Sequence, residues 1–148
     1  MRALQLLNKL QRISIQQVAV EALQNTTTVV EDLNATQLAQ GLRADGSELL
    51  PSYTPLTIEL KKHKSGLAAV TSHVTLFDTG DFYRSLHAEV KGDRLVYSDT
   101  DEKFEKLNKK FSTSKGSILG LTKDSKGELV NSFLRKEFLL QAHTQTGL

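Results

Sequence analysis

The sequence predicts an α+β fold: several helices, including a long N-terminal one, packed around a small antiparallel sheet. Three observations carry this expectation. Residues 2–24 contain neither Gly nor Pro and are rich in Leu and Gln, which favours one unbroken helix. Two short runs, His87–Val90 and Leu95–Ser98, flank Lys91-Gly92-Asp93-Arg94, where Gly at the first central position suits a type II′ hairpin turn. Further on, Phe104, Leu107 and Phe111 recur at helical spacings of three and four. A chain of 148 residues can bury about 70% of its unfolded surface, enough for a single domain over residues 1–148 with its own core.

Placing residues 2–24 at 100° steps puts Leu4, Leu7, Ile15, Val18 and Ala22 in one sector and Leu6, Leu10, Ile13 and Val20 in the next. The combined apolar arc is roughly 200° wide, against the roughly 100° stripe of an ordinary surface helix. Such a helix needs cover from two sides. Either it is sandwiched inside its own domain or one sector faces another subunit. The second alternative makes the segment 1–25 an assembly element, with Leu4, Leu7, Leu10, Ile13, Ile15 and Val18 as the contact residues.

The remaining elements follow from their punctuation. Thr28-x-x-Glu31 has the form of a capping box and opens a helix to about Gly41, with Leu33 and Leu38 inward. Ala44-Asp45-Gly46-Ser47 is a turn. Thr54 as N-cap with Pro55 at the first helical position starts a short helix to about Lys64, whose basic tail suits a helix C-terminus. Leu67–Val74 is apolar and β-branched enough for a strand. Asp78 or Thr79 caps a short helix through Phe82, Tyr83 and Leu86. Asp99-x-x-Glu102 caps the helix through Phe111, and Ser112–Gly116 is a polar loop before the apolar Ile118-Leu119-Gly120-Leu121. Ser125-x-x-Glu128 caps the last helix, with Val130, Phe133, Leu134 and Phe138 as its buried stripe and residues 144–148 as a frayed tail.

Composition removes several function classes. There is no Cys, which excludes disulfides, thiolate metal sites and cysteine catalysis. The formal net charge of +2 is too weak for a dedicated nucleic-acid binder. It is also uneven, with four basic and six acidic residues in 1–60 against fifteen and eleven in 61–148. No run approaches the 18 or more apolar residues of a membrane span, and the Met-Arg-Ala-Leu start lacks the apolar block of a secretory signal. The expectation is a soluble protein without membrane contact.

The one enzyme-like signature is Leu76-Phe77-Asp78-Thr79-Gly80, the apolar pair and Asp-Thr-Gly of a retroviral-type aspartic protease, in which a dimer shares one proton between two Asp. Ile118-Leu119-Gly120 matches the later apolar Ile-x-Gly of such enzymes. Against this, Asp81 stands where that family has Ala or Ser, and Phe82-Tyr83-Arg84-Ser85-Leu86 reads as a helical turn where the protease needs strand and flap. Capping of a short helix explains the same residues. His63, His73, His87 and His143 are scattered, with no pair at metal-binding spacing, so no metal or cofactor is expected. Lys103, Lys106, Lys109 and Lys110 alternate with Asp101, Glu102 and Glu105 in a solvated helix face. The weaker alternative is that these lysines, with Lys115, face DNA, as in a small accessory protein that binds nucleic acid or other proteins.

The order of segments resembles the phage virion-morphogenesis and tail-completion proteins. The resemblance is carried by Tyr53-Thr54-Pro55-Leu56-Thr57 with Lys61-Lys62, by Leu76-Phe77-Asp78-Thr79-Gly80-Asp81-Phe82-Tyr83-Arg84-Ser85-Leu86, by the hairpin, by Asp101-Glu102-Lys103 with Leu107, and by Ile118-Leu119-Gly120-Leu121. It spans residues 34–123. It implies a non-enzymatic structural protein of a tailed-phage virion, made in the host cytoplasm, forming a six-fold or twelve-fold homo-oligomeric ring at the head–tail junction. The partners implied are the connector or adaptor, the tail terminator and the tail tube, with genomic DNA passing nearby unbound.

Overall fold

The structure is a computed structural model and describes residues 2–11 and 14–147, the side chains of Leu10 and Gln11 excepted. It is mixed helix and sheet, with one two-stranded antiparallel sheet among the described residues. The single long N-terminal helix is not borne out. Two ten-residue helices stand in its place, α1 (Arg2–Gln11) and α2 (Ile15–Gln24). The cause is Ser14, whose backbone is extended and whose hydroxyl accepts a hydrogen bond from the Gln17 N–H at 3.2 Å. A serine that satisfies an orphan N–H this way starts a helix. Ser14-x-x-Gln17 has the capping-box spacing, a signal already present in the sequence.

Helix α3 (Thr27–Ala39) follows, then α4 (Pro55–Lys61), a 3₁₀ turn (Gly66–Ala69) and α5 (Asp81–Ser85). Thr54 caps α4 as expected, accepting from the Thr57 N–H at 3.3 Å. The capping box expected at Thr28 does not form. Glu31 instead reaches across to the sheet, where its carboxylate accepts the Ala88 N–H at 2.9 Å and lies 3.2 Å from His87 Nδ1. Leu67–Val74 is no strand: it begins in the 3₁₀ turn and continues as irregular backbone to Val74.

Strands β1 (Leu86–Lys91) and β2 (Arg94–Asp99) pair from Leu86↔Asp99 to Lys91↔Arg94. Gly92 turns at φ +63 while Asp93 keeps a negative φ, the signature of type II′ over type I′. Helix α6 (Phe104–Phe111) comes next. Its start is held by Asp101, which accepts the Lys103 N–H at 2.7 Å, while Asp99 accepts the Asp101 N–H at 2.7 Å; the expected pairing of Asp99 with Glu102 is not used.

The longest helical run is C-terminal: α7 (Lys123–Glu128), a π-helical segment (Leu129–Leu134) and α8 (Arg135–Thr146) follow without a break. Thr122, three residues before the expected Ser125, is the cap. Residues 144–146, expected to fray, are helical; Thr146 is buried and Gly147 closes the helix by donating to the His143 carbonyl. Leu148 lies outside the described residues.

Two apolar clusters hold these pieces. One joins Leu38, Leu49, Val74, Phe82, Leu86, Phe111 and Ile118; the other joins Val30, Leu33, Ala88, Leu121 and Leu129. Leu33 and Leu38 thus face inward as expected. Between the clusters, α3 grips the segment 118–122 by two buried amides one helical turn apart. Asn34 donates to the Ile118 carbonyl at 3.1 Å and accepts the Gly120 N–H at 3.0 Å. Gln37 donates to the Gly120 carbonyl at 3.0 Å and accepts the Thr122 N–H at 2.7 Å. Each side chain imitates a strand neighbour, so a buried extended segment finds its backbone partners without a sheet. Arg43 works similarly, its buried guanidinium donating to the carbonyls of Phe111, Glu48 and Leu50.

Candidate functional site

The residues singled out for assembly separate into two groups. On α1, Leu4 is 61% and Leu7 50% exposed, and at the start of α2 Ile15 is 72% exposed. Val18 is 0% exposed, so its assignment to an intersubunit surface is corrected: it belongs to the core. The reason is helix phase. Val18 and Ala22, one turn apart, are the buried pair of α2, which packs against α8 and touches β1. Glu21 accepts from the Gln145 amide and Asn25 donates to Glu137, each at 2.9 Å, so α2 and α8 run antiparallel. The side chain of Leu10 and all of Ile13 lie outside the described residues.

Every described side chain of α1, residues 2–9, is exposed. Leu6 adds to the uncovered apolar surface at 39%. A ten-residue helix is too short to be stable alone in water, because nucleation is unfavourable below about 12–15 residues.

A second uncovered surface lies on the C-terminal helix, where the sequence predicts a buried stripe. Val130 is 40% and Phe133 38% exposed, and this part of the expectation is overturned. The inward positions are Leu129, Leu134, Phe138, Ala142 and Thr146, spaced five, four, four and four. The step of five is the π turn: the Arg135 N–H bonds to the Val130 carbonyl five residues back. That extra residue rotates Val130 and Phe133 away from the core. Leu139 and Leu140, at 58% and 57% exposed, extend the outer face. Exposed Val130, Arg135 and Leu139, together with the half-buried Leu134 and Phe138, line an open hollow of about 360 Å³. The width argument applied to residues 2–24 holds equally for 129–142 and would have found this face.

The Asp78 motif lines a pocket of about 350 Å³ between α4, the segment 76–81 and α6. Asp78 is exposed and ion-paired with Lys64. Thr79 donates to Asp81 at 2.7 Å, and Arg84 pairs with the same carboxylate. The Thr79 bond first and Arg84 second hold Asp81 below the usual carboxylate range. Gly80, at φ +88, turns the chain into α5, and a Cβ there would sit 3.1 Å from the Phe77 ring. The Asp-Thr-Gly sequence is thus a helix entrance, with Asp78 and the following Asp81 each ion-paired. Lys61, read from the sequence as part of the basic tail of α4, is instead buried in the pocket wall and donates to the carbonyls of Ala68 at 2.8 Å and Phe77 at 3.2 Å, with the Tyr53 ring 4.8 Å away. Lys103 and Lys110 stand at the rim. Among the described residues no cluster of His, Asp and Glu could hold a metal ion, and no helix is long and apolar enough to cross a membrane.

At the end of β2, Asp99 accepts from the Ser85 hydroxyl at 2.6 Å through one oxygen, while its other oxygen is buried without a partner. Burial raises its carboxyl above the ordinary 3.8, outweighing the hydrogen bonds from Ser85 and Asp101 that lower it. The folded state therefore binds this proton more tightly than the unfolded chain. Its contribution to stability is full below 3.8 and is lost as pH rises from there through the raised folded value. Asp99→Asn should flatten the stability profile over that interval, measured as unfolding midpoints across pH. Identical slopes in the variant and the parent would reject this assignment.

Comparison with family models, with curated proteins and with solved structures finds no match to this chain. What fold and site define together is an α+β domain with a filled core and two uncovered apolar helix faces.

Proposed function

We propose that the protein is a non-enzymatic structural subunit of a tailed-phage virion, a tail-completion or neck component that closes into a ring where head meets tail. One observation supports the assembly half of this reading: Leu4, Leu6 and Leu7 of α1 are exposed among the described residues. The resemblance over residues 34–123 supplies the phage half. Burying a leucine side chain contributes about 1.5–3 kcal/mol, while association costs on the order of 4–15 kcal/mol. Three or four such residues per contact give a weak single interface, and closure of a ring, in which every copy makes two contacts, offsets the difference. A net charge of only +2 suits a subunit that lets DNA pass without gripping it.

The test has two arms. Wild type should form a closed oligomer by native mass spectrometry, and Leu4→Glu with Leu7→Glu should be monomeric yet still unfold cooperatively, since both positions are exposed. Assembly that survives the double substitution would remove α1 from the interface. Electron microscopy of a lysate from phage with an early stop codon in this gene should show filled heads beside separate, complete tails. Normal particles would overturn the neck reading.

A further inference from the structure

We propose that the pocket between α4, the segment 76–81 and α6 binds a small organic carboxylate with an apolar, ring-sized body, and that Lys61 is the cation that holds it. This stands independently of the ring reading above. Lys61 is 7% exposed, and no carboxylate pairs with it among the described residues. The carbonyls of Ala68 and Phe77 and the face of the Tyr53 ring stabilise a cation there without cancelling its charge. A lysine ammonium has three donors, and the two carbonyls take two of them. Lys61 lines the pocket, so an anion inside it can accept from the third and supply the missing negative charge. The neighbouring carboxylates are already engaged: Asp78 pairs with Lys64 and Asp81 with Arg84, while Asp101 accepts the Lys103 backbone N–H.

The rest of the wall selects the kind of anion. Tyr53, Leu76, Phe82, Leu107 and Phe111 make much of it apolar. A strongly hydrated inorganic ion gains nothing from such a wall, whereas a hydrocarbon body is drawn in by burial. A volume of about 350 Å³ lies at the small end of ligand pockets, about 300–1,000 Å³, and limits that body to one ring with a short side chain. The wall is also braced before anything binds. The Tyr53 hydroxyl accepts the Thr75 N–H at 3.0 Å, and the Phe82 ring stacks on Phe104 with centroids 6.4 Å apart. A site already held in shape loses little affinity to ordering on binding.

The test is an amide NMR titration of the full chain with hydrocinnamate, a phenyl ring on a short carboxylate. Saturable shifts should appear within residues 76–82 and 103–111, which flank the pocket. Two controls on the wild-type protein separate the halves of the proposal: hydrocinnamamide keeps the body and removes the charge, while acetate keeps the charge and removes the body. Each should bind at least about tenfold more weakly, as expected for losing a hydrogen bond between charged groups or a buried ring. Lys61→Met, which keeps the stem and removes the ammonium, should reduce the preference for the acid over its amide to less than about threefold. Lys103→Ala with Lys110→Ala, both exposed rim positions, should leave that preference in place, which assigns it to Lys61 even where Lys61→Met fails to fold. Absence of saturable shifts with hydrocinnamate, or shifts confined to other residues, would overturn the site. An amide or acetate that binds as tightly as the acid would overturn the ligand class, and a preference lost with the two rim lysines would overturn the role of Lys61.

Discussion

Val18→Glu is expected to leave little folded protein at room temperature. Val18 is 0% exposed, on the side of α2 that packs against α8. A carboxylate forced there loses its hydration, at an effective cost of several kcal/mol per ion, and the valine contacts are lost as well. A domain of this kind has about 5–15 kcal/mol of total stability, so a loss of about 5 kcal/mol lowers the unfolding midpoint by roughly 15 °C or abolishes the transition. Leu7→Glu, eleven positions earlier in what the sequence presents as the same apolar sector, should shift it by less than about 2 °C at dilutions where wild type is monomeric. Thermal unfolding of the two variants side by side separates core from surface. A Val18→Glu protein that melts with wild type would mean that α2 does not pack on α8.

Gln37→Leu should be nearly as damaging, although it makes a buried position more apolar. The side chain is fully buried and serves the Gly120 carbonyl and the Thr122 N–H together. Leucine fills the space but leaves both backbone groups unpaired, at about 1–3 kcal/mol each. The expected loss is about 3–5 kcal/mol in urea unfolding. Asn34 bonds the other side of the same residue, Gly120, so Asn34→Leu and Gln37→Leu should be non-additive by at least about 0.5 kcal/mol. A loss below about 1 kcal/mol for Gln37→Leu would show that the segment 118–122 finds its hydrogen bonds elsewhere.

The fold class was legible because its signals are local. Gly92 fixes the hairpin turn, Thr54-Pro55 starts α4, and Leu33 and Leu38 face inward, each through chemistry within a few residues. What was missed depends on partners far along the chain. Glu31 has the spacing of a capping box but bonds Ala88, fifty-seven residues away. Asn34 and Gln37 look like ordinary polar positions of α3 until segment 118–122 is laid beside them. In the C-terminal helix the apolar residues were read at α-helical spacing, and one π turn moved Val130 and Phe133 to the outside. At the N-terminus the same averaging hid Ser14, a local signal that a continuous helical wheel passes over. The candidate surface was half legible: Leu4, Leu7 and Ile15 are exposed as an assembly face needs, Val18 is not, and the hollow on the C-terminal helix was assigned to the interior.

The carboxylate of Glu31 also occupies one of the places where a stray strand would pair with this sheet. A two-stranded sheet has a free edge on each side, and unpaired N–H groups along an edge are templates for stray strands and for amyloid-like growth. At β1 the Ala88 N–H is already taken by Glu31 and the strand is covered by α3. The hairpin tip is guarded by charge at Glu89, Lys91, Asp93 and Arg94. Strand addition at the β1 edge is thereby disfavoured.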